Sequence, residues 1–121
     1  MKHCLVVDDS AVVRKVARRI LEGLTFRVSE AEDGRQGILA SQGGMPDADF
    51  LDGTMPVMDG YEFLKELRRM PGGEGPKVVF CATDNEVAPI ARAMRAGADG
   101  YMLKPFDRES VTAKFQDIGL V

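Results

Sequence analysis

The feature that most constrains this chain is an alternation. Short segments that read as strands are each followed by a stretch with helical periodicity. The segments are "HCLVV" (3–7), "RVSEA" (27–31), "ADFLD" (48–52), "KVVFCA" (77–82) and "GYMLK" (100–104). The helical stretches are "SAVVRKVARRILEGL" (10–24), "DGRQGILASQ" (33–42), "YEFLKELRRM" (61–70), "EVAPIARAMRAG" (86–97) and "DRESVTAKFQDI" (107–118). In the first of these Val12, Val13, Val16, Ala17, Ile20, Leu21 and Leu24 recur at helical spacing. Ser10 and Asp107 are placed as N-caps, Pro89 fits a first turn, and Gly97 suits the left-handed position that ends a helix. The second stretch is weaker, because Gly34 and Gly37 lower its propensity. "GGMPD" and "PGGEGP" read as breaks.

Strands that alternate with helices predict βαβ units: a five-stranded parallel sheet with helices on both faces, doubly wound with right-handed crossovers. A length of 121 residues predicts a single domain, 1–121. The net charge of −3 argues against a non-specific nucleic-acid binder. No apolar run approaches the ~20 residues of a membrane span. Asp8 and Asp9 cut off the apolar start that a signal peptide would need. The expected location is therefore cytoplasmic, with Cys4 and Cys81 as reduced core residues. His3 stands alone and receives no role.

In an open parallel sheet, ligands bind outside the carboxyl ends of the strands. The first strand ends in Asp8-Asp9, the third in Asp52, the fourth in Ala82-Thr83-Asp84, and the fifth in Lys104-Pro105. Acids packed together repel, so they need a cation or must share protons. Oxygen ligands without Cys or His suit a hard ion, Mg²⁺ before Ca²⁺. A lysine on the same edge serves an anion, and an aspartate can accept a phosphoryl group as a nucleophile. The plainer alternative is that Asp9 and Asp52 cap the helices that follow them.

"VVDDS" (6–10), "LDGTMPVMDG" (51–60) and "MLKPF" (102–106), in that order, resemble the response-regulator receiver domains, in particular the stand-alone chemotaxis kind. The resemblance runs the full length. It implies the flavodoxin-like strand order 2-1-3-4-5, and Asp52 as phosphoacceptor. It implies Mg²⁺ on Asp9, Asp52 and the Thr54 carbonyl, with Asp8 acting through a water. Lys104 and the Thr83 backbone would meet the phosphoryl oxygens, with Lys104-Pro105 cis. Thr54 and Asp84 would flank the path of the hydrolytic water, leaving at most a slow autophosphatase activity rather than an enzyme. Tyr101 matches the aromatic switch position. Implied partners are a histidine kinase or histidine phosphotransfer protein and a downstream protein such as a flagellar motor component. The basic stripe Arg14, Lys15, Arg18 and Arg19 would dock the former, unless it is simply a solvated helix face. Arg92 and Arg95 would join Tyr101 on an output surface. In the implied strand order Cys4 and Cys81 stand two strand spacings of ~4.8 Å apart, beyond the ~7 Å usual for bridged Cα atoms. Free thiols are therefore expected.

One departure stands out. The family pattern has a Ser or Thr hydroxyl where this chain has Ala82. This leaves open an atypical receiver that binds partners largely independently of phosphorylation. Two other readings are weaker. "LDGT" is similar to a haloacid-dehalogenase phosphatase motif, but the position of that nucleophile is Phe50, and Asp49 is one residue off. A flavin module would have to place its phosphate against Asp8 and Asp9, which would repel it.

Overall fold

The helices begin where side chains can satisfy the first backbone N–H groups. In this computed structural model, which describes residues 1–83 and 87–121, the elements are β1 (His3–Val7), α1 (Ala11–Gly23), β2 (Arg27–Ala31), α2 (Gly34–Gly43), β3 (Ala48–Asp52), α3 (Gly60–Arg69), β4 (Lys77–Ala82), α4 (Val87–Arg95), β5 (Gly100–Leu103) and α5 (Arg108–Asp117). Ser10 caps α1 by accepting from Val13 N–H, and Asp33 and Asp107 do the same for α2 and α5. Each such cap is worth about 1 kcal/mol. Helix α3 starts one residue earlier than the periodicity predicts. Asp59 accepts from Glu62 N–H and the Glu62 side chain accepts from Asp59 N–H, a reciprocal capping box. Helix α4 stops at Arg95, and Gly97 follows at φ +114°.

All four strand pairings are parallel, in the order β2-β1-β3-β4-β5. This is the expected doubly wound sheet. Period-2 alternation sorts the strand residues into two cores. On one face Cys4, Val6, Phe50, Val79 and Cys81 pack with Ala17, Ile20 and Leu21 of α1 and Val111 and Phe115 of α5. On the other, Leu5, Val7, Leu51, Val78 and Phe80 pack with Phe63, Leu64 and Leu67 of α3, Ile38 of α2 and Ala93 of α4. Each fully buried side chain of this size contributes about 1.5–3 kcal/mol. Gly37, unfavourable for α2 by propensity, makes room for this core. A Cβ there would lie 2.8 Å from the Phe63 ring.

The apolar stripe of α1 is wider than the sheet can cover. Val12 and Val16 are 73% and 45% exposed, whereas helical spacing alone groups them with the buried residues. Cys4 and Cys81 are buried free thiols, as expected from the strand order. Burial, first among the causes, pushes both thiols well above their ordinary range.

Candidate functional site

The carboxyl edge of the sheet is built from three strand ends. Strand β1 delivers Asp8, buried, and Asp9, exposed, while β3 ends on the buried Asp52. The chain leaves β3 at once. Gly53 N–H donates to the Cys81 carbonyl, and Gly60 N–H donates back to the Gly53 carbonyl. A Cβ on Gly60 would lie 2.2 Å from the Asp52 carbonyl oxygen, so only glycine lets α3 begin against the end of β3. Caps α1 and α3 already have are Ser10 and Asp59, so Asp9 and Asp52 are not capping residues. They are left facing the edge.

Carboxylate oxygens of Asp8, Asp9 and Asp52 all lie within 4.8 Å of one another. Lys104 Nζ reaches Asp8 Oδ2 at 2.7 Å and Asp52 Oδ1 at 3.1 Å. Thr54 N–H approaches the same Asp52 oxygen at 3.4 Å. Burial first, and then the Asp8 charge, raise the pKa of Asp52 against the pull of Lys104. Burial works against the Lys104 charge, but the hydrogen bond to Asp8 and the charges of Asp52 and Asp8 outweigh it, and its pKa is raised. Asp8 is held from behind: Ser10 N–H donates to Oδ1 at 2.9 Å, and Arg14 donates to its backbone carbonyl at 2.7 Å. The donor set is all oxygen, anionic and crowded, and therefore fits a hard divalent cation.

Ala82 is half-buried at the end of β4, one residue past Cys81, which pairs with Asp52. Its carbonyl accepts from Lys104 N–H at 2.7 Å, and Thr83 beside it is exposed. The Lys104-Pro105 peptide is cis. Thr54 is exposed beside Asp52, whereas Asp84 lies outside the described residues. Tyr101 sits on the edge strand β5, 40% exposed, with Lys114 Nζ 5.5 Å from its ring centroid. Arg95 is exposed on α4, and Arg92 stacks over Tyr61 of α3 at 3.9 Å.

The basic stripe on α1 divides. Arg14 and Arg18 bind Glu30 of β2 at 3.0 and 2.6 Å, and Arg18 also binds Glu22. Lys15 and Arg19 instead flank the exposed Val12 and Val16. A second groove, lined by Val12, Val13, Val16, Lys104, Pro105 and Phe106, runs from this face to the acidic edge. Helical periodicity alone does not show the apolar part of this surface or the roles of Asp59 and Gly60. Asp59 and Glu62, three residues apart, were the available signal. Asp49 faces the α3 side of the sheet, away from Asp52, and Phe50 packs on Phe106 and Phe115. The phosphatase reading therefore has no nucleophile.

The sheet order and its acidic edge define a flavodoxin-like α/β domain with its site at the carboxyl ends of the strands. Within that class the sequence pattern of the response regulator receiver domain matches residues 4–116, and the chain belongs to that family. It is 33% identical to the chemotaxis protein CheY of Halobacterium salinarum over 117 residues, covering 97% of this chain and 96% of that one. It is 37% identical to the KDP operon transcriptional regulatory protein KdpE of Escherichia coli, covering 96% of this chain but only 50% of that protein. Among solved structures, chemotaxis response regulator CheY4 of Vibrio cholerae superposes with a TM-score of 0.92 at 29% identity, covering 98% of both chains. The receiver domain of sensor histidine kinase PA1611 from Pseudomonas aeruginosa, with a magnesium ion coordinated in its active site cleft, gives 0.88 at 28% identity, again over 98% of both. The chain is thus a CheY-like response-regulator receiver, a component of two-component signalling rather than a conventional enzyme. Among the described residues no helix is long and apolar enough to cross a membrane.

Proposed function

We propose that this chain is a stand-alone, cytoplasmic response regulator of chemotaxis type, a single receiver domain that takes a phosphoryl group on Asp52. One observation carries the reading: Lys104 bridges Asp8 and Asp52 while Asp9 crowds the same edge. A buried carboxylate held at a strand end, with a cation beside it, is positioned as a nucleophile. An Asp52 oxygen bonds to phosphorus as the bond from phosphorus to the donor's histidine nitrogen breaks. The products are an aspartyl phosphate and a free imidazole. Lys104 follows the new negative charge. Asp9, Asp52 and the Thr54 carbonyl would hold Mg²⁺, with Asp8 through a water. When bound, the ion supplies neutralisation of the acids and of the phosphoryl oxygens.

The donor, a histidine kinase or histidine phosphotransfer protein, docks on the α1 face. Exposed Val12 and Val16 are flanked on one side by Lys15 and Arg19 and on the other by Pro105, Phe106 and Lys104, which touches Asp52. Output to a downstream protein runs through Tyr101, Arg92 and Arg95. Thr54 and Asp84 control a slow self-hydrolysis. Incubation with Mg²⁺ and a small phosphodonor, read by intact mass, tests the reading. The expected result is one added phosphoryl group, absent in Asp52→Asn. An added group that persists in Asp52→Asn overturns the assignment.

A second reading draws on Ala82, which has no hydroxyl to offer a phosphoryl oxygen. In it the domain binds its partner largely without regard to phosphorylation. Equal partner affinity of the phosphorylated and unphosphorylated forms would favour it.

A further inference from the structure

Asp49 is a carboxyl group with no evident place in the signalling site. It lies three residues before Asp52, on the opposite face of β3, and is 0% exposed. Its register neighbours are Leu5 on β1 and Val78 on β4. Neither of its oxygens has a hydrogen-bond partner among the described residues. A buried polar atom left this way costs free energy, and a buried charge costs far more. The proton is therefore held to a higher pH than an exposed carboxyl would hold it: burial pushes the pKa of Asp49 up to about 7, with the Arg68 charge pulling the other way.

Arg68, on α3, is the cation whose charge acts on it, and it shares Asp99 Oδ2 with the N–H of Val78, the register partner of Asp49. Its N–H groups are all spent elsewhere. Nε donates to the Gly97 carbonyl, Nη1 to the Gly73 and Pro76 carbonyls, and Nη2 to the Gly97 carbonyl and Asp99 Oδ2. A guanidinium has five N–H donors, so none remains for Asp49. Among the described residues the other groups on this side offer no alternative. Helix α4 brings Ile90 and Ala93 to the interior, while Arg92 and Arg95 lie outside. Helix α2 brings Ile38 and Ser41, whose hydroxyl donates to the Gly37 carbonyl, and its Arg35 is exposed. Asp99 at the entrance to β5 is already bound to Val78 N–H and Arg68. The buried Cys4 thiol, one residue before Leu5 on β1, packs on the other face of the sheet, and its pKa is raised by burial first and Asp49 second.

We propose that Asp49 is a proton-controlled latch on the turn between α4 and β5. While Asp49 is neutral, Arg68 stays on Gly97 and Asp99 and pins the end of α4 to the start of β5. When Asp49 ionises, it takes N–H groups from Arg68, and the Gly97–Asp99 turn loses its clamp. That turn leads directly into Tyr101. The link to signalling rests on the output surface proposed above, but the latch does not, and it is tested without Mg²⁺ or a phosphodonor.

The sign follows from linkage. Folded Asp49 holds its proton to a higher pH than the unfolded chain, whose carboxylates release theirs near ~4. Stability therefore declines as pH rises from ~4 through the folded value and is level above it.

The experiment is an NMR titration between pH 5.5 and 8.5 of protein labelled at aspartate carboxyl carbons and backbone and arginine nitrogens. The Asp49 carboxyl carbon, Arg68 Nε and the Gly97 and Asp99 amides should move together with one midpoint near 7. In Asp49→Asn the Arg68 and Gly97 signals should stay flat. If Asp49 titrates while Arg68 and Gly97 do not move, the latch is refuted. It is refuted equally if Asp49 is already ionised at the acid end or still neutral at the alkaline end. Should Asp49→Asn fail to fold, the joint movement of carbon and nitrogen signals in the unaltered protein decides the matter.

Discussion

Lys104, just past the edge strand β5, reaches across β4 and β3 to hold Asp8 of β1 at 2.7 Å, touching Asp52 on the way at 3.1 Å. One ammonium group thus serves two buried acids. Lys104→Met removes it and leaves both without a counter-ion. Taking one partner from a fully buried pair costs 3–5 kcal/mol. Lys104 retains some exposure, so we expect a loss of about 2 kcal/mol in urea unfolding at pH 7. The deficit should narrow as pH is lowered. Burial and Asp8 already raise the pKa of Asp52, and a raised acid takes up its proton early and relieves the repulsion. A deficit that widens on acidification would contradict this account.

Asp9 is the exposed member of the acid triad. Like charges at such separations repel by roughly 1 kcal/mol near water. Asp9→Asn should therefore leave the metal-free fold unchanged or more stable by up to about 1 kcal/mol. The same substitution removes a proposed ligand, so Mg²⁺ affinity measured by calorimetry should fall about tenfold or more, about 1.4 kcal/mol. Unchanged Mg²⁺ affinity would exclude Asp9 from the ion's ligands.

Val57 adopts φ +69° in the loop after β3, although it is β-branched, and it is 79% exposed. Left-handed backbone costs an L-residue about 1–2 kcal/mol. No burial compensates here. Val57→Gly and Val57→Asn should each stabilise the protein by about 1 kcal/mol in thermal or urea unfolding. If neither does, the loop relaxes at no cost and carries no strain.

Ala82→Thr restores a hydroxyl at the end of β4. A hydrogen bond to a charged group is worth about 1.5–3 kcal/mol, tenfold or more in an equilibrium. The substitution should widen the difference between phosphorylated and unphosphorylated forms, read as the Tyr101 ring environment by NMR. An identical difference in both proteins would make Ala82 a neutral replacement.

Much of this architecture was legible because burial leaves a periodic trace. The bounds of β1, β2, β3 and β4 follow from strand-like segments bracketed by helical stretches and breaks, and the caps Ser10 and Asp107 from their chemistry. The site was legible in part, because a parallel sheet brings the ends of β1, β3 and β5 to one edge wherever they lie in the chain. The order of the strands came from resemblance, since crossover lengths alone allow several arrangements. Helical spacing could not reveal that Val12 and Val16 face solvent. A stripe of valines has no marker for where the sheet beneath it ends. Nor could it reveal the clamp on Gly97, because most acceptors of Arg68 are backbone carbonyls that only tertiary packing assembles. The isolation of Asp49 was hidden for the same reason: an acid within an apolar strand shows its partners, or their lack, only once neighbouring layers are placed.

Every residue of β3 is buried, whereas β5 alternates buried and exposed positions at the rim of the sheet. The proposed phosphoacceptor therefore hangs from a fully buried strand and the proposed readout from a half-exposed one, where local opening costs less. The two can diverge at different rates. On the function proposed, replacements along the rim would retune what is heard downstream without disturbing the chemistry at the centre, so one unvarying engine could serve many listeners.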